Sequence, residues 1–268
     1  MTGRVLWLSV AIALSASVGI RAEPFDPLAA ATLTQQPGAR VPSDVAFRDA
    51  TGGTVQLGDL YRGRPVILAP VYYRCPNICG LTLSGVFDAL AGTDLRLGRD
   101  VDVVAFSIDP RETPEVAAQA QEDYRARYGD TALKAHFLTS EAAASRTVAD
   151  ALGFGYAYDE AIGQYAHPSA IAVTTGAGVV ARYMNSLTPD AASLRLALVE
   201  SSEGRFGGVI DQVRLLCFTY DPQTGKYSAS ILRLIQVMGT ATVLILAAGL
   251  AWFFLRERRL RPPSRTSS

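Results

Sequence analysis

The feature that most constrains this chain is a nine-residue apolar run, Pro65-Val66-Ile67-Leu68-Ala69-Pro70-Val71-Tyr72-Tyr73, that leads through Arg74 into Cys75-Pro76-Asn77-Ile78-Cys79. An unbroken apolar stretch of strand length suits a central strand covered on both faces. Where such a strand hands over to a helix, Cys75 is expected at the cap and Pro76 at the first helical position. Free N–H groups and the helix dipole at that end favour a thiolate and lower a cysteine pKa. A spacing of four puts both sulfurs on one face of a helical turn, where they can close a disulfide or chelate one ion. A buried structural pair is the plainer alternative.

Downstream, strands and helices alternate. A helix is predicted from Thr82 to Ala91, with Leu83, Val86, Phe87 and Leu90 on one face, and a strand over Val101–Ile108. Thr113, Pro114 and Glu115 open a helix that runs to Tyr128. Lys134–Leu138 reads as a short strand and Glu141–Leu152 as a helix. Ser169–Thr175 and Val179–Met184 are strands joined by Gly176-Ala177-Gly178 at hairpin spacing, and Pro189–Glu203 is a closing helix. This order predicts an α/β layer structure, specifically a thioredoxin-like domain with a mixed sheet flanked by helices.

The two ends have a different character. Residues 1–22 have Arg4, an apolar stretch from Val5 to Ile20 and a small residue at 22, the pattern of a secretory signal peptide. Ile20 stands where a small residue is preferred, which leaves an uncleaved anchor as the alternative. Leu234–Leu255 is a run of 22 residues without a charge. At about 1.5 Å per residue such a run spans about 33 Å, enough for a transmembrane helix. The basic block from Arg256 to Arg261 would stay on the cytoplasmic side.

Charge follows the same division. Residues 23–230 hold 24 acids and 17 bases, while the flanks hold eight Arg and one Glu, so the formal net charge of zero is a cancellation. An acidic domain of this kind excludes a nucleic-acid binder, which needs a surplus of Arg and Lys. The expected organisation is a signal peptide over 1–22, a linker or extended arm over 23–42, the domain over 43–203 and an extension over 204–230. A membrane helix over 231–255 and a cytoplasmic tail over 256–268 complete it. The expected location is the bacterial inner membrane, with the domain in the periplasm.

Metal binding needs a third ligand beside the cysteine pair. His167, in Tyr165-Ala166-His167-Pro168-Ser169, precedes a predicted strand whose start lies beside the redox helix in a thioredoxin-like sheet. Two thiolates and an imidazole form a soft, low-coordinate set suited to Cu(I) and able to hold Cu(II). His136, inside Ala135-His136-Phe137-Leu138, reads as a packed strand residue. Cys217, the third cysteine, reads as a small apolar residue of a helical segment between Arg205 and Tyr220, with a reactive thiol as its rival.

Three segments together carry a resemblance: Tyr73-Arg74-Cys75-Pro76-Asn77-Ile78-Cys79, Ser107-Ile108-Asp109-Pro110-Arg111-Glu112-Thr113-Pro114-Glu115, and His167 followed by a strand, a Gly turn and Arg182-Tyr183. Over about residues 43–203 the chain resembles the Sco/SenC family, and its extension resembles the membrane-anchored bacterial branch with a C-terminal helix. The resemblance implies a copper metallochaperone that helps assemble the copper A centre of cytochrome c oxidase. Cys75, Cys79 and His167 would then be the copper ligands, and Asp109 and Pro110 would form turn and cap structure. Departures lie close to the ligands, with Asn77 between the cysteines, Gly80 after them and Ala166 before the histidine, where acidic residues or proline are common in the family.

The expected partners are the oxidase subunit that carries the copper A site, other periplasmic copper chaperones and thiol reductants. The rival activity is enzymatic, a thiol-disulfide reductase that keeps acceptor cysteines reduced through a mixed disulfide. A peroxidase is disfavoured, because Tyr72 stands three residues before Cys75, where peroxiredoxins carry Thr or Ser.

Overall fold

The structure is a computed structural model, and it describes residues 26–75, 79–202, 218–222, 226–229 and 231–260. The apolar run forms β3, Val66–Val71, and every residue of it is buried. It pairs in parallel with β4, Asp102–Ser107, which pairs in parallel with β5, His136–Leu138. On its other side β3 runs antiparallel to β8, Ile171–Thr174, which is followed by the antiparallel β9, Val180–Met184. The five-stranded order is β5-β4-β3-β8-β9, a mixed sheet with β3 at its centre. This is the thioredoxin-like arrangement expected from the strand and helix alternation.

Alternation along β3 divides the core into two layers. Ile67, Ala69 and Val71 point towards α2, Cys79–Ala91, and α5, Ala191–Ser201, meeting Leu83, Val86, Phe87, Leu194 and Leu198. Val66 and Leu68 point the other way, towards Phe47, towards Val148 of α4, Ala142–Ala151, and towards Leu152 at its C-cap. Sheet side chains alternate faces with period two, so a strand clothed on both sides must be apolar throughout. α3, Pro114–Tyr128, has Thr113 at its N-cap position and Pro114 at its first turn, as read from the sequence.

Several elements differ from the sequence reading. Two short hairpins were not anticipated: β1, Ala46–Arg48, with β2, Thr54–Gln56, and β6, Ala157–Asp159, with β7, Gln164–Ala166. Three-residue strands carry too little periodicity to be seen against their turns. A helical turn, α1, spans Pro27–Ala30. The arm that follows is tied to the domain. Thr34 donates its amide to Gly153, Gly38 to Val180 and Val41 to Gly178, and Val41 is fully buried.

The end of the extension adds a third unanticipated hairpin. The helical spacing of Val209, Val213 and Leu216 lies outside the described residues, and Phe218–Asp221 is β10, paired antiparallel with β11, Lys226–Ala229. Cys217 lies outside the described residues. The Tyr220 hydroxyl donates to the Tyr183 carbonyl and accepts from the Tyr183 amide, and the Arg182 guanidinium lies over its ring at 5.1 Å. Pro222 accepts from the side chains of Gln35 and Asn185. The hairpin therefore seats on β9.

α6, Ile231–Leu260, is one 30-residue helix on which Ile235, Met238, Leu246 and Trp252 are exposed. Among the described residues no helix is long and apolar enough to cross a membrane. Leu234, Val237, Phe254 and Leu255 of the uncharged run have side chains outside the described set.

Candidate metal centre

The centre is built by strand register. Ala172 stands opposite Leu68 and Val173 opposite Ile67, in antiparallel sense. The residues that leave β3 and those that enter β8 therefore share one end of the sheet, which brings the Cys75 loop beside His167. Side-chain contacts agree. The Tyr72 ring meets the His167 ring edge-on, with centroids 5.8 Å apart, and Phe154 lies 5.9 Å from the same imidazole. Half-buried Cys75 packs on the apolar cluster that contains Tyr72 and Phe154.

His167 reaches this place at the end of β7. The β6–β7 hairpin carries Tyr165 towards Tyr72, with ring centroids 5.8 Å apart, and two residues later the chain presents the imidazole. The hairpin turn contains Gly163 at φ +66, a left-handed backbone that disfavours other residues. Burial pushes the imidazole pKa down, against a weaker opposing effect of its bond to Pro168. With its proton on Nδ1, His167 donates to the Pro168 carbonyl at 3.0 Å, which makes Nε2 the nitrogen able to take a metal. No peptide bond among the described residues is cis, so the His167–Pro168 bond is trans.

The Cys75 loop is held by a residue to which the sequence reading gave no role of its own. Glu112, 5% exposed, accepts the Tyr73 amide at 2.9 Å and the Arg74 amide at 2.7 Å. Its third donor is the Ser107 hydroxyl at 2.6 Å. Tyr73 is fixed from below as well, its hydroxyl lying 3.0 Å from the Ala105 carbonyl and 2.9 Å from that of Leu138. Asp109 forms the turn expected of it and accepts the amide and guanidinium of Arg111. Burial pushes the Asp109 carboxyl up, but the Arg111 bonds outweigh it and leave the group below its ordinary value. Arg111 in turn covers Tyr158 at 4.6 Å.

The predicted ligands are thus placed in part. Cys75 and His167 belong to one end of the sheet. Cys79 opens α2, and its side chain, with residues 76–78, lies outside the described set, so the expected cap and first-turn geometry falls there too. Among the described residues no three His, Cys, Asp or Glu gather around a metal position. His136 begins β5 opposite Val104, towards the other end of the strands, as a packed strand residue. The signal for the missed β6–β7 hairpin was the alternation of Phe154, Tyr156 and Tyr158 before Gly163.

A mixed sheet flanked by helices, with a cysteine in the loop after its central strand and a His-Pro segment before the antiparallel neighbour, is the arrangement of a thioredoxin-like domain. The SCO1/SenC family model matches residues 34–200, and the chain belongs to that family. A protein of Aquifex aeolicus VF5 assigned provisionally to electron transfer is 22% identical, with a TM-score of 0.55 over 62% of this chain and 94% of that one. BsSco, described as a member of the Sco family of cytochrome c oxidase assembly proteins with a disulfide switch, is 18% identical. Its TM-score is 0.50 over 63% of this chain and 98% of that one. Arabidopsis thaliana ScoI, solved with copper bound, is 19% identical, with a TM-score of 0.47 over 59% of this chain and 95% of that one. No curated protein matches the sequence.

Proposed function

We propose that this protein carries copper through Cys75, Cys79 and His167 and passes it to the copper A centre of cytochrome c oxidase. The observation that carries the reading is the register that sets the loop after β3 beside the residue before β8, so that one sheet end offers thiol and imidazole together. Family membership supports it. Copper is cargo here. Soft thiolates retain Cu(I), and a neutral imidazole supplies a borderline ligand whose replacement by an acceptor's ligand lets the ion move on. Burial lowers the His167 pKa, which keeps the imidazole unprotonated at neutral pH.

The strand-to-helix placement of the cysteine pair favours a second reading, thiol-disulfide reduction. One thiolate would attack an acceptor disulfide and the other resolve the mixed disulfide, so the acceptor gains two thiols as Cys75 and Cys79 become a disulfide.

Localisation belongs to the same proposal. On this reading the run Leu234–Leu255 of α6, four of whose side chains lie outside the described set, crosses the inner membrane with the basic block Arg256–Arg261 in the cytoplasm, and the domain faces the periplasm behind a signal over residues 1–22. The exposed apolar side chains of α6 support this.

The test is copper titration of the reduced protein and of His167→Ala. The proposal expects one tightly held copper that the variant loses while disulfide exchange persists. Equal binding by both would discard the three-ligand set. Disulfide exchange without copper binding would leave the reductase.

A further inference from the structure

We propose that Glu112 is a positioning residue for the copper site, acting through the backbone that presents Cys75; the inference rests on the copper reading above. Glu112 stands five residues after Ser107, in the loop that joins β4 to α3, yet two of its three bonds reach across to the neighbouring strand's exit. Those two bonds take the amides of Tyr73 and Arg74, the residues immediately before Cys75. A carboxylate that accepts from successive amides fixes the peptide plane between them, and charge-assisted bonds of this kind are stronger than neutral ones.

The Tyr73 hydroxyl also anchors this segment, on the Ala105 and Leu138 carbonyls, but it does not hold the loop amides. Beyond Val71 the chain has left the β3–β4 ladder, whose last pairing is Val71 with Ser107. The Ile108 amide still donates to the Val71 carbonyl at 2.8 Å, but both loop amides donate to Glu112. Burying a carboxylate is costly unless it is hydrogen-bonded, and Glu112 takes three donors, two loop amides and one hydroxyl. The same group thus pins the β4–α3 turn to the cysteine loop. The Ser107 hydroxyl is a third donor to the carboxylate and touches neither loop amide; it also accepts the Asp109 amide at 3.0 Å.

Two consequences separate positioning from general support. Removing the carboxylate releases the amides of Tyr73 and Arg74 and loosens Cys75 relative to His167. Removing the Ser107 hydroxyl perturbs the same buried network but leaves both loop amides held. Glu112→Gln tests the same point with little change in volume, because an amide offers one oxygen and places an N–H group where an amide acceptor is needed.

The experiment uses the full-length reduced protein, with E112A, E112Q and S107A. It measures copper release to a chelator well below each variant's unfolding temperature, alongside hydrogen exchange at Tyr73 and Arg74. In E112A, exchange at those amides rises on the order of 100-fold while Ile67–Leu68 of β3 stays protected, and copper leaves about tenfold faster or more. E112Q behaves likewise to a smaller degree and replaces E112A if that variant does not fold. S107A releases copper as the unmodified protein does.

Unchanged exchange at Tyr73 and Arg74 would overturn the anchoring. Faster exchange with unaltered copper release, or equal copper loss in S107A, would overturn positioning. If the unmodified protein takes up no copper, the functional reading itself fails, and this inference falls with it.

Discussion

Tyr72 and His167 meet edge to face, their ring centroids 5.8 Å apart and their planes at 80°. Tyr72 is the residue that leaves β3 and His167 the one that approaches β8, so the contact joins the two chain segments that supply the proposed ligands. A ring packed against an imidazole limits how far that imidazole can turn, and loss of an outer partner that orients a metal ligand commonly costs about 10–100-fold in affinity. Tyr72→Ala should lower copper affinity by a factor in that range, whereas Tyr72→Phe, which keeps the ring, should hold the affinity of the unmodified protein. Competition against a chelator measures both.

At the other end of the same sheet, Asp102 lies almost fully buried in a two-pronged pair with Arg64, at 2.5 and 3.0 Å. Loss of one partner leaves an uncompensated buried charge, which costs about 3–5 kcal/mol. Arg64→Met should therefore destabilise the domain towards the lower end of that range, because the guanidinium is partly exposed. Urea denaturation measures the loss. Copper binding by the folded fraction should be unaltered, since the pair sits at the opposite strand ends from Cys75.

His136 gives the protein a pH dependence of known sign. Burial is the main cause that holds its imidazole below the ordinary value of 6.5. The unfolded chain therefore binds this proton more readily than the folded one, and stability contributed by the neutral form is present above pH 6.5 and declines as pH falls through it. Replacing His136 by Gln should flatten the loss of stability between about pH 7.5 and 5. Denaturation of the copper-free protein at the two pH values would show it, and equal pH slopes would refute it.

Gly153 is the hinge on which the N-terminal arm is fastened. Its φ is +60°, and a Cβ added there would lie 1.8 Å from the Thr34 carbonyl oxygen. Gly153→Ala must both strain the backbone and push the arm away, at a cost of about 1–3 kcal/mol. Limited proteolysis should then cut within residues 33–41 faster than in the unmodified protein, with β3 still protected.

What could be read in advance depended on the length over which a physical signal repeats. β3 announced itself because burial on both faces leaves no room for a polar residue, and α3 because Thr113, Pro114 and Glu115 mark a helix start. The placement of Cys75 and His167 at one end of the sheet was legible from the strand order that brings β3 beside β8. Glu112 was not, because nothing local distinguishes a buried carboxylate from a solvated one. Its partners, Tyr73 and Arg74, are 39 and 38 residues away. The β6–β7 and β10–β11 hairpins escaped because three or four residues hold too little alternation to outweigh a neighbouring helical pattern.

The last strand of the sheet is covered from both ends of the chain. Gly38 and Ala39 of the arm bond Val180, and three residues on the Tyr220 hydroxyl fills the amide and carbonyl of Tyr183. A bare edge strand is an open template on which a second molecule can add its own strand. Here that template is already taken, by polypeptide at Val180 and by a phenol at Tyr183, so β9 gives a second copy of the domain little backbone with which to begin a shared sheet.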